Sequence, residues 1–433
     1  MVPVLCGERA HAFHMERIHQ RSAVTITIFG MIMAFTFGDE VCYPAYEGRE
    51  TPKVSYGLQF PEACLRHCRD TLSTYALERL RSALGSRIAG VRIGINPHTP
   101  IAQVLEVVND ASNLNIDCLV TLGAGSLTDA AKLVRLALAN SATSEEEMNT
   151  LWGTPKSNPT LRNNISKPTI PLIHIPTSLS GGEFQAIAGG TESQGHAKRT
   201  FHCERVDPEL VIQDPELCLT TPEWVWLSTG IRAVDHCVET LCSLVSNDKA
   251  DEWSKNGLVK LVSGLLASKA DPKSLQARHL CHQGVVSSMC AVSSGVPLGA
   301  SHAIGHQLGP LGVGHGETSC ILLPAVCRFN FDKKANVERQ EVVRDLLLEQ
   351  DEVGQLLQVK GHDKSAVTLA DILDVFISTL GMPRSLEEVG VEEDKLEVLA
   401  RNSLDDIWIQ TNAFPITETS QVVEILNMCV RRR

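Results

Sequence analysis

A chain of 433 residues, 43% of them hydrophobic, is long enough for two domains with cores of their own and too apolar to be disordered. Its net charge of −12 argues against nucleic acid or an acidic membrane surface as a partner and leaves a small-molecule substrate as the ligand class. The 14 cysteines are scattered without a CxxC pair, which fits a reducing, cytoplasmic setting better than a disulfide framework.

Residues 1–43 form an atypical leader. Within it, Ser22 to Gly38 is a mostly apolar run, short of the roughly 20 residues that cross a bilayer as a helix. It reads as a buried strand or hairpin, or as an aberrant start, before a membrane segment. Glu62 to Ser73 is charged and reads as helix or loop, and a helix from about Tyr75 to Leu84 follows. A strand is predicted at Val91–Ile95 and a helix at Ile101–Leu114.

Cys118 to Leu122 is a buried strand running into Gly123-Ala-Gly-Ser126 and then a helix to about Ala139. Gly123 and Gly125 remove side chains where the backbone turns and approaches a ligand. The helix start offers unpaired N–H groups and a positive dipole end, which suit a pyrophosphate. Asp129 and Lys132 share a face of that helix and are expected near the same ligand. An ordinary tight β–α turn has the same outline, because the third glycine of GxGxxG is absent. Ser144 with Glu147 predicts a short capped helix inside a polar loop. The strand Thr169–Ile175 ends at Pro176, and Thr177, Ser178 and Ser180 then offer hydroxyls beside Gly181 and Gly182. Two strand-to-glycine loops of this kind point to one crevice at the carboxyl ends of a parallel sheet. Ala186 to Lys198 reads as a loop or hairpin, and Glu209–Gln213 as a last strand.

From Pro222 onward the apolar spacing is helical: 223–243, 251–267, 274–294, 338–349, 369–380 and 394–401. The predicted architecture is an α/β dinucleotide-binding domain over residues 44–221 and an all-helical domain over 222–433. Arg232 and His236 fall on one face of the first long helix, and His302 and His306 on one face of another, with His315 after a glycine-rich turn. Imidazoles so grouped hold a metal or move a proton.

Several motifs together resemble the iron-containing (group III) alcohol dehydrogenases, with the dehydroquinate synthase-like architecture, and within them the maleylacetate reductase branch. They are Gly123-Ala-Gly-Ser-Leu-Thr-Asp-Ala-Ala-Lys132, Pro176-Thr-Ser-Leu-Ser-Gly-Gly-Glu183, His98-Thr-Pro100, Asp214-Pro-Glu-Leu217, His302-x-x-x-His306 with His315, and the Leu380–Arg384 and Thr411–Pro415 segments. The resemblance runs from about Pro44 to the C-terminus. It implies NAD or NADP as cofactor, held by Gly123, Gly125, Ser126, Asp129, Thr177, Ser178 and Ser180, and it allows a homodimer. In metal-binding members one Asp and three His hold iron or zinc. Those three positions correspond to His236, His302 and His315, but Arg232 stands where the Asp would be, and a guanidinium repels a cation. Maleylacetate reductases also lack that Asp.

Two further departures concern the first strand of the nucleotide domain, which is missing before Tyr75, and the leader itself. The expected function is hydride transfer between NAD(P)H and a small oxo acid without a required metal. His306 would be the proton donor, Arg232 the carboxylate binder, and His236 a further catalytic group. Two rivals stand beside it. One is a metal-dependent dehydrogenase using His236, His302 and His315 with water or Asp235 completing the shell; the other is a non-catalytic relic with a damaged cofactor crevice.

Overall fold

Strand pairing begins with a hairpin. In the computed structural model, which describes residues 35–67, 75–194 and 198–430, β1 (Val41–Pro44) runs antiparallel to β2 (Lys53–Tyr56). The chain then forms helices α1 (Phe60–His67), α2 (Tyr75–Leu84) and α3 (Ile101–Leu114). Next come β3 (Leu119–Gly123), α4 (Gly125–Asn140), α5 (Glu145–Met148) and β4 (Leu172–Pro176). A separate two-stranded antiparallel hairpin, β5 (Ile187–Thr191) and β6 (Lys198–His202), precedes β7 (Leu210–Ile212). The main sheet has the order β1-β2-β7-β4-β3, parallel from β2 onward. All five residues of β4 are buried, as a central parallel strand covered on both faces requires.

Ile101, Val104 and Val108 of α3 pack on Leu133, Val134 and Ala137 of α4, the periodicity that predicted both helices. The capping box at Ser144 and Glu147 forms as expected. Beyond Ile212 every regular element among the described residues is helical. These are α6 (Glu223–Cys242), α7 (Asp248–Ala270), α8 (Leu275–Val292), α9 (Ala300–Leu308) and α10 (His315–Asp332). They continue with α11 (Val337–Leu348), α12 (Asp351–Val359), α13 (Leu369–Thr379), α14 (Leu396–Ser403) and α15 (Thr419–Met428). The predicted α/β half followed by an all-helical half is what the chain forms. None of these helices is long and apolar enough to cross a membrane.

One predicted strand is corrected: Val91–Ile95 joins no ladder. The reason lies beside it. Val91 to Ile95 and the outer edge of β3 share the lining of a cavity of about 490 Å³, together with apolar residues of α3 and α4. A strand needs a neighbour within about 4.8 Å to pair its backbone, and among the described residues none fills that gap. Glu62 to Ser73, where the missing strand was sought, is helical as far as His67, and 68–74 lie outside the described residues, as does the leader up to residue 34.

The helical half is tightest where α10 starts against α6. A β-carbon on Gly316 would lie 2.5 Å from the Ser228 carbonyl and 2.8 Å from the Thr229 nitrogen, backbone atoms that cannot swing away. Gly316→Ala is therefore expected to destabilise the fold by about 2 kcal/mol, read as a lowered thermal unfolding midpoint. An unchanged midpoint would show that the two helices separate without cost.

Candidate active site

Register places the two glycine loops side by side. Gly123 of β3 pairs with Pro176 of β4, and the Thr177 N–H donates to the Gly123 carbonyl at 3.1 Å. Gly123 has φ +153°, and a β-carbon on Gly125 would meet Ser180 Oγ at 3.2 Å, so both glycines are set by close approach as well as by the turn. Ser178 is buried and its hydroxyl shares a 2.8 Å hydrogen bond with Ser180. Ala124, the residue before α4, supplies no side-chain cap, which leaves the first N–H groups of the helix, at Gly125 and Ser126, for a ligand.

Lys132 and Asp129 have other tasks than the ligand contacts expected of them. The Lys132 ammonium is buried and donates to the carbonyls of Gly182, Gln185 and Ile187 at 2.5, 2.7 and 2.8 Å. Asp129 accepts the Gly189 N–H at 3.1 Å. Both residues tie α4 to the loop after β4 and to the β5–β6 hairpin. Burial pushes the Asp129 carboxyl up and the Lys132 ammonium down from their ordinary values, and their mutual attraction opposes both shifts.

From the glycine turn a chain of contacts reaches the helical half. Thr99 Oγ1 donates to the Ser126 carbonyl at 3.2 Å, and Thr191 bonds the carbonyls of His98 and Thr99. His98 and Thr99 both hold left-handed backbone, at φ 65° and 52°, a strained geometry for side-chain-bearing residues of the kind that gathers at functional sites. The His98 ring then lies 5.8 Å from His315, and His315 lies 6.5 Å from His306.

The helical half supplies the remaining imidazoles. His236 and His302 stack at 4.8 Å. His302 Nδ1 is 2.7 Å from Glu239 Oε2, and the same carboxylate accepts the N–H groups of Gly299 and Ser301, capping α9 in place of a capping side chain. Asp235 accepts from Ser301 and Ser319 at 2.8 and 2.6 Å. Asp235 Oδ2 lies 3.6 Å from His302 Nδ1, so both acids stand on the Nδ1 side, while His302 Nε2 has no partner among the described residues. Burial and the neighbouring Glu239 raise the Asp235 carboxyl, and burial raises Glu239. These three residues bring ligand atoms within 4.8 Å of one another, a spacing a metal would tolerate, but their contacts are hydrogen bonds within the fold. Arg232 Nη1 donates to Ser319 at 3.1 Å and stands 3.9 Å from Asp235. Burial lowers its pKa despite that acid, and burial likewise keeps His236, His302 and His315 neutral, well below the usual histidine range.

Three participants had no sequence signal of their own. Asp406 holds His306 Nδ1 at 2.8 Å across 100 residues of chain. Glu239 orients His302, and Lys198 at the start of β6 donates to His315 Nε2 at 3.0 Å. His98 did stand in a motif, His98-Thr-Pro100, but without an assigned role.

With this geometry described, comparison with known proteins gives the family. Residues 53–215 match the iron-containing alcohol dehydrogenase model, and residues 226–430 match the C-terminal model of the Fe-containing alcohol dehydrogenase family. Dehydrogenase FUM7 of Gibberella moniliformis is 36% identical, covering 87% of this chain and 96% of that protein. Dehydrogenase ALT3 of Alternaria alternata is 35% identical, covering 82% and 95%. The solved maleylacetate reductase from Rhizobium sp. strain MTP-10005 is 26% identical with a TM-score of 0.63, covering 86% of this chain and 92% of that one. The chain belongs to the iron-containing alcohol dehydrogenase family and is an oxidoreductase.

Glu183 provides a check on the loop that Lys132 secures. Burial raises its carboxyl to about 7 from an ordinary 4.5, so between those values the folded chain keeps a proton that the unfolded chain has lost. Stability from this group is complete below the unfolded value and is lost as pH rises through about 7. The stability of the wild type relative to Glu183→Gln is expected to fall from pH 5 to pH 8 in thermal unfolding. A difference flat in pH would place an ionised carboxylate there instead.

Proposed function

We propose that the chain transfers a hydride between NAD(P)H and a small carbonyl compound bearing a carboxylate, without a metal. Residues 44–221 would bind the dinucleotide and 222–433 would close over the substrate. The observation that carries the reading is the His306–Asp406 pair. With Nδ1 held by a carboxylate, the ring is fixed in orientation and Nε2 is the nitrogen left to exchange a proton with a substrate. The pyrophosphate would sit at the start of α4 over Gly123, Gly125 and Ser126, with Thr177, Ser178 and Ser180 beside it, as the shared crevice of β3 and β4 favours. Asp129 serves the cofactor by holding the hairpin. His236 and His302 line the substrate side as neutral acceptors.

The family name implies iron, and the residues here do not fit it. His236, His302 and His315 keep the ligand positions. The fourth is Arg232, and a second cation, Lys198, already uses His315 Nε2. Asp235 and Glu239 face the other side of His302. A divalent ion would meet two fixed positive charges and three neutral rings, with no carboxylate turned toward it.

The test is NADH and NADPH oxidation by the purified chain with oxo acids, after exhaustive chelation. Activity is expected to survive chelation. His306→Gln is expected to lower kcat by about 100-fold, with a smaller loss for Asp406→Asn and unchanged NADH affinity in both. Arg232→Ala should raise KM for acidic substrates. Recovery of activity only on adding iron or zinc would sink the metal-free reading. Failure of the folded chain to bind either nucleotide would favour a non-catalytic relic, the rival supported by the open edge of β3.

A further inference from the structure

A lysine at the first residue of a hairpin strand ordinarily extends into solvent. Lys198 is held inward by three features from three elements. Across the hairpin, Gly189 has no side chain, and a β-carbon there would lie 2.8 Å from Lys198 Cε and 3.5 Å from its Nζ. Asp129 Oδ2 stands 3.6 Å from that same point, and its charge attracts the ammonium although the two form no ion pair. At the far end His315 Nε2 accepts one of its protons at 3.0 Å. An ammonium carries three donors, and no other hydrogen bond from it is formed among the described residues. The residue as a whole is nonetheless exposed to solvent.

Arg232 is in a similar position. Its Nη1 is committed to Ser319, and its other nitrogens make no hydrogen bond among the described residues. Lys198 reaches His315, and Arg232 lies one turn before His236 on α6, so the two cations border the neutral imidazoles with donors to spare, although Asp235 stands 3.9 Å from Arg232 Nη1. Such a pocket suits an anion, and more particularly a molecule with two oxygen functions.

We propose that Lys198 is a catalytic residue that stands in the place of the missing metal. Its ammonium donates to the carbonyl oxygen of an oxo acid whose carboxylate Arg232 holds. This rests on the hydride-transfer reading and assigns the electrophile within it. Hydride leaves C4 of the reduced nicotinamide and bonds to the carbonyl carbon, so the nicotinamide is oxidised and the carbonyl reduced. The C=O π pair moves to oxygen, where the Lys198 ammonium meets the developing charge. The alkoxide then takes a proton from Nε2 of His306, which takes one up from solvent in each turnover, giving the hydroxy acid. Charge that appears only in the transition state is the kind a fixed donor stabilises most.

The experiment compares wild type, Lys198→Met and Lys198→Arg as purified full chains shown to be folded by circular dichroism. Oxalate is the probe, titrated by calorimetry with and without NADH. Wild type is expected to bind oxalate about ten-fold more tightly than Lys198→Met, with Lys198→Arg in between. With an oxo acid and NADH, Lys198→Met should lose about 100-fold in kcat while NADH affinity stays unchanged. A wild type that binds oxalate less than three-fold better than Lys198→Met overturns the proposal. Inactive wild type with oxo acids would instead defeat the hydride-transfer reading, and the oxalate comparison would still decide whether Lys198 and Arg232 form an anion site.

Discussion

Three backbone carbonyls, from Gly182, Gln185 and Ile187, converge on the ammonium of Lys132, and through it α4 fixes the loop after β4 and the start of β5. A buried charge without partners is costly, and here the charge-assisted hydrogen bonds compensate it. Because α4 also begins at the glycine turn, that turn and the hairpin that carries Lys198 cannot shift independently. Asp129, one turn earlier, adds a fourth tie at Gly189.

The helical half is organised by buried acids in an analogous way. Glu239 caps α9 and turns His302, while Asp235 joins Ser301 of α9 to Ser319 of α10. Arg232 reaches the same Ser319, so the guanidinium is placed by the network that aligns the histidines. Removing one member would leave the others buried and unpaired, which makes the arrangement high-stakes and rigid. Rigidity of this sort is what a site needs if it is to hold a small substrate at the correct distance from a nicotinamide.

Periodicity was enough for the elements with one clear apolar face. The α3 helix matches its expected span from Ile101 to Leu114, and the strand–turn–helix through Gly125 differs by one residue at each boundary. Val91–Ile95 shows the limit: it has the apolar character of a strand, but pairing is a property of the neighbour, and among the described residues there is none. Lys132 and Asp129 show another. Their spacing from the glycines suggested a ligand, yet side-chain direction on α4 and the arrival of β5 turned them to the protein's own backbone. Asp406 and Lys198 could not be read at all, since each acts on a histidine about a hundred residues away.

What the sequence determined alone was local: which segments are helix or strand, where backbone must turn without a side chain, and that a cation, Arg232, shares a helix face with His236. These follow from steric freedom, apolar spacing and the sign of a charge, all of which act over a few residues. Tertiary structure decided which polar atoms are spent holding the fold and which are left for a substrate. That division depends on what distant segments bring to each donor and acceptor. No spacing along the chain records it.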